Sequence, residues 1–216
     1  MSLLSPTERR AVGGPVPLRL LAAWFAVALA AWIAGGVALA WGARDLALGN
    51  PLAPVPVLAV HLVALGALPF AVAGASFHLL PVMLRNDLPS IRALWLALPL
   101  LLGGPLVAAG LERWSPELVW VGVAALVAGL AIVALEIGTL LVRAPSGRTL
   151  IASRTGVALS LVHAVLALVL GALAFDRANA FWGVPYTRWL LVHLHLSLVG
   201  WIALLVIAVG RSLVPM

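Results

Sequence analysis

The sequence predicts an all-α integral membrane protein: a bundle of six transmembrane helices with both termini on the cytoplasmic side. Two observations carry that expectation. The 216 residues are 64% hydrophobic and only 9% charged, against roughly a quarter charged in soluble domains. The charges also fall at intervals. They leave six apolar windows near the ~20 residues a membrane helix needs, at about 20–43, 57–83, 93–111, 118–142, 155–175 and 189–210.

Each window has its own justification. Span 1 follows Arg9, Arg10 and Arg19 as a signal peptide would. Its apolar run is longer than the ~7–15 residues of a cleavable h-region, so it reads as a retained helix. The second charge-free stretch begins at residue 46. Pro51, Pro54 and Pro56 make its first part a non-helical approach, and span 2 starts after them. Spans 3 and 5 carry no charge. Span 4 contains Glu136, close enough to its end to read as an interfacial carboxylate. Span 6 carries no charge from Trp189 to Gly210.

With the N-terminus inside, nine arginines fall in inner segments and four (Arg44, Arg113, Arg177 and Arg188) in outer ones. That bias satisfies the positive-inside rule, and Trp41, Trp114, Trp120, Trp182 and Trp189 form an outer aromatic belt. The net charge of +6 is therefore topology and calls for no nucleic acid. The connections are too short to fold alone, so residues 1–216 read as one integral membrane domain, expected in a bacterial inner membrane. The longest outer connection, "DRANAFWGVPYTR", could cover a site. No hydrolase, P-loop or dinucleotide motif occurs. Cysteine is absent, which excludes disulfides, iron–sulfur clusters and covalent c-type haem.

The candidate chemistry lies in the histidines. All five fall inside predicted spans, where titratable side chains are costly and mark function by default. His61 and His78 on span 2 stand ~25 Å apart along the axis, too far to share a metal ion. His61, His193 and His195 match in depth, and His163 lies just below them. The two histidines of "HLH" project about 200° apart around a regular helix, so they cannot chelate one metal and must meet two environments. The plainer reading is that each imidazole hydrogen-bonds a neighbouring helix. It suits His78 and His163 taken singly better than the depth-matched His61 and His195.

Spans 2 and 6 share a frame. Glycine follows His61 and His195 by five residues (Gly66, Gly200), a small residue by thirteen (Gly74, Ala208) and proline by twenty (Pro81, Pro215). The segments "PFAVAGASFHLLPVM" and "HLHLSLVGW" resemble the early and late haem-bearing helices of subunit I of the haem–copper oxidase superfamily. The resemblance covers two of the six spans. It implies that His61 and His195 are the axial ligands of one haem, with His193 facing a second site. That family has twelve or more helices and a copper site with three further histidines, two of them adjacent; no adjacent pair occurs in this chain.

The expectation is thus an intramembrane b-type haem protein, an oxidoreductase-type protein if an enzyme at all. Its cofactor residues would be His61, His195, His193 and His163, with His61 and His195 the iron ligands. One haem b is expected, a second is conceivable, and copper stays open. The task would be electron transfer with a quinone or a respiratory-complex subunit, or binding of nitric oxide or oxygen; self-association is compatible with either. Two alternatives stand beside it: a histidine-lined proton or metal transporter or channel, and a structural membrane subunit without cofactor.

Overall fold

The computed structural model describes residues 16–84, 86–87, 90–113, 115–143, 148–175 and 186–213. Arg9, Arg10, Trp114, Trp182, Pro215 and most of the loop before span 6 lie outside the described residues. The chain is all-helical, with no strand among the described residues. Six helices are long and apolar enough to cross a membrane: α1 (Leu18–Trp41), α2 (Pro54–Val82), α3 (Ile91–Leu111), α4 (Glu117–Arg143), α5 (Ser153–Gly171) and α6 (Arg188–Arg211).

The predicted boundaries shift where proline was given too much weight. Pro54 and Pro56 belong to the first turn of α2, where no backbone N–H needs an intrahelical acceptor, so proline costs nothing there. At the other end, Pro81 does not stop the helix, which runs on to Leu84. Asn86 N then donates to Pro81 O at 3.1 Å. Glu136 has a specific partner. It is 9% exposed and accepts from Ser90 N at 2.9 Å, while Ser90 Oγ accepts from Ala93 N at 3.1 Å. The α4 carboxylate thus caps the positive N-terminus of α3.

Lipid tails are as apolar as leucine, so burial of apolar surface drives little of this assembly, and close packing must do more. The packing repeats. The helices form three hairpins, α1–α2, α3–α4 and α5–α6, joined in the same register. A side chain at Gly35 would meet Ala59 O at 3.3 Å and Val63 at 2.7 Å. One at Gly103 would run into Gly122 O and lie 2.6 Å from Leu126 N. In the third hairpin, Ala167 O meets the ring of His193. Gly42 and Gly110 repeat the match two turns further on, against Pro56 and Val119.

The hairpins join one another less uniformly. α2 touches α3 backbone to backbone, because Gly104 lets Leu65 in. The position equivalent to Gly104 in α5 is Leu168, and α4 and α5 touch only sparsely. Hairpin α5–α6 is anchored mainly through the second half of α6, where Leu205, Ala208 and Val209 join the core around Trp24, Phe70 and Phe77. Phe70 and Phe77 each place their ring centroid 5.5 Å from that of Trp24. The first half of α6 stands away from the core, and cavities open there.

Candidate functional site

His61 lies near the start of α2, half-buried, with Nδ1 2.8 Å from Val57 O one turn back. His193 lies in the first half of α6, with Nδ1 2.8 Å from Ala167 O on α5. A carbonyl only accepts, so in the neutral form of each imidazole Nδ1 carries the hydrogen and Nε2 keeps its lone pair. This is the tautomer that ligates a metal through Nε2. Gly171 makes room for the second ring: a side chain there would stand 2.8 Å from His193 Cε1.

The two histidines line one cavity of about 470 Å³, within the ~300–1,000 Å³ of ordinary small-molecule sites. Its walls are apolar, with Val107 and Leu111 from α3, Val123 from α4, Ala164 and Leu168 from α5, and Trp201 from α6. A second apolar cavity of about 430 Å³ adjoins it between α4 and α5, and Val123, Ala164, Leu168 and Trp201 belong to both. Leu168 explains why both exist. A leucine at the place of Gly104 keeps α4 off α5.

The remaining histidines are placed elsewhere. His195 is exposed on the far side of α6, with Nδ1 2.7 Å from Leu191 O. The structure therefore brings His61 together with His193, where the resemblance paired it with His195. His163 bonds Leu159 O at 2.7 Å and lays its ring on Gly200; it does not line the His61 cavity. His78 is exposed near the end of α2.

Each helix changes winding beside its histidine. A π-helical turn covers Leu62–Ala67 immediately after His61, and another covers Leu196–Ala203 immediately after His195. Such turns recur at functional sites. Pro69 accounts for the first, since it cannot donate to Leu65 O and its ring crowds that carbonyl. The second contains no proline. There Ser197 Oγ donates to His193 O at 2.7 Å and competes with the backbone ladder.

Two features escaped the sequence reading. The indole N–H of Trp189 is buried without an acceptor among the described residues. It stands one turn before His193, on the same helix face, and Arg188 beside it is exposed. The spacing of four between Trp189 and His193 was the available signal. The other feature is Leu168, an ordinary leucine until the hairpin register shows what it replaces.

Among the described residues, no three or more His, Cys, Asp or Glu side chains gather in a group able to hold a metal ion. A metal at the His61–His193 pair would need its other donors from a non-protein ligand, such as a tetrapyrrole. The residues present suit one in chemistry: two imidazoles whose Nε2 atoms are left unbonded, and apolar walls. No protein-family model matches this chain, and neither a curated protein nor a solved structure does.

Proposed function

We propose that the chain is an intramembrane b-type haem protein in which His61 and His193, from α2 and α6, are the axial ligands. The observation that carries this reading is the pair of carbonyl-anchored imidazoles lining one apolar cavity. Val57 O and Ala167 O hold each ring in the ligating tautomer. The aliphatic walls keep water out and disfavour added charge, which is how an apolar shell tunes a redox potential. A haem bound there would supply a one-electron iron couple. Arg188 and the unpaired indole N–H of Trp189, about one turn before His193 on α6, would offer donors to its carboxylates. With both axial positions filled by histidine, electron transfer with a membrane-dissolved or protein partner is favoured over gas binding, which would require one imidazole to withdraw.

The test is a reduced-minus-oxidised visible spectrum and a pyridine haemochrome assay on detergent-purified protein, expressed with ample haem. Wild type should show a b-type signal. His61→Ala and His193→Ala should lose it, and His195→Ala should keep it. Loss in His195→Ala with retention in His193→Ala would restore the pairing implied by the oxidase resemblance. A colourless wild type would end the haem reading.

A further inference from the structure

α6 has two faces, and the proposed haem uses one. The other carries His195, Val199, Val206 and Ile207, all exposed. Only 11% of the apolar window of α6 is buried, the smallest share of the six helices. An imidazole is out of place on such a surface, because ionisable side chains in membrane helices almost always face protein or a water-filled path. With Nδ1 bonded to Leu191 O, its Nε2 has no partner among the described residues.

The hairpin register shows what this face is built to meet. His195 stands in α6 where His61 stands in α2, and Val199 stands where Leu65 does. In α2 that face is covered by α3: Gly104 admits Leu65, and Val107 and Leu111 wall the cavity of His61. No helix among the described residues takes that place on α6.

A helix of the required kind lies at the other end of the chain. α1 contains "GGVALAWG" where α3 contains "GGPLVAAG". Gly35 and Gly42 pack on the next helix, α2, as Gly103 and Gly110 pack on α4. The third correspondence is broken. Gly104 receives the preceding helix, whereas its counterpart Gly36 has nothing within 4 Å of where a side chain would be. Leu39, the counterpart of Val107, is 47% exposed. So α1 keeps a docking surface of the kind that receives a preceding even-numbered helix, which no helix among the described residues fills, and α6 keeps the complementary face.

We infer that the chain self-associates, with α1 of one copy docking on the His195 face of α6 of a second copy as α3 docks on α2. Gly36 then receives Val199, and Leu39 and Ala43 shield His195 from lipid. Small residues at such a crossing allow the close approach that stabilises helix pairs in membranes. The contact is heterologous, so it closes as a ring, or as a dimer where both faces are engaged reciprocally.

The absence of cysteine makes the test direct. Leu39→Cys and Val199→Cys would be placed on two differently tagged copies, co-expressed, and oxidised in native membranes. Leu39 stands one turn beyond Gly36, as Val107 does beyond Gly104, and Val107 and Leu65 line one cavity wall, so the two thiols face each other across the proposed contact while Gly36 stays free of a side chain. The expected result is a disulfide-linked hetero-tagged product that neither single variant forms alone. Gly36→Leu, which leaves the interior of the chain untouched, should shift the native mass from oligomer to monomer in nanodiscs. Cross-linking only between two Val199→Cys copies would mean a twofold α6–α6 contact and overturn the assignment. A monomeric wild type without cross-links would overturn self-association. None of these readouts depends on haem.

Discussion

Hairpins α1–α2 and α5–α6 share a packing register, a histidine at the equivalent place and a π-helical turn just after it, yet they meet different surroundings. His61 is enclosed because α3 follows and covers it; His195 is exposed because no described helix does the same on α6. His193, which has Ala59 as its counterpart in α2, is the histidine of the second hairpin that turns into the molecule. The comparison teaches that a repeated helical frame fixes where a residue stands along a helix. What it touches is set by the neighbour that covers that helix.

The largest expected effect breaks the symmetry between the equivalent histidines. His61→Ala should abolish the b-type signal and His195→Ala should leave it, although the two share one position in the repeat. Haem-to-protein ratio by pyridine haemochrome checks it. Equal loss in both would mean that position in the repeat, and not enclosure, decides ligation.

The next effect compares the two glycine pairs. Gly104→Ala puts a methyl onto the backbone of Leu65, and overpacking of this kind costs about 1–3 kcal/mol. Gly36→Ala meets nothing within 4 Å, so the isolated chain should be unharmed and gain up to ~1 kcal/mol from helix propensity. Denaturation in mixed micelles at a detergent concentration that keeps the chain monomeric reads the difference. Equal destabilisation would show that Gly36 is packed after all.

A third experiment concerns the glycines inside the π turns. A side chain at Gly66 would press on the methyl of Ala31 at 2.9 Å, and one at Gly200 would press on the ring of His163. Gly200→Ala should cost about 1–3 kcal/mol, and His163→Ala should restore much of it by vacating the space. A double-mutant cycle measures the coupling. Additive losses would mean that His163 does more than fill the groove beside Gly200.

Much of this was legible in the sequence, for stated reasons. The six spans follow from apolar windows, because an apolar helix of membrane length has few other solutions. The opposite facing of His193 and His195 follows from helical geometry, and the structure places one inward and one outward. The pairing of His61 was not legible from depth, since depth says nothing of rotation. Rotation is set by Gly171, by Ala167 O and by winding that departs from 3.6 residues per turn beside both histidines. Leu168 was invisible for a related reason. A leucine in an apolar helix carries no signal until a glycine is known to stand at the same place in another hairpin.

The smallest expected effect probes how α6 makes its π turn. α2 has Pro69 as a cause, whereas α6 relies on Ser197 Oγ bonding His193 O at 2.7 Å. Ser197→Val imports the α2 residue, Val63, at the equivalent position and deletes that bond. Hydrogen bonds within membrane proteins average about 0.6 kcal/mol, so stability should fall by no more than ~1 kcal/mol, with haem content unchanged. Both can be read on one sample by unfolding followed at the haem band. If haem is lost while the helical circular dichroism persists, the hydroxyl, and not the packing on Gly171 and Ala167, holds the rotation of His193. The two hairpins would then reach the same winding by unrelated means, one through a missing backbone donor and one through a side chain that competes for the ladder.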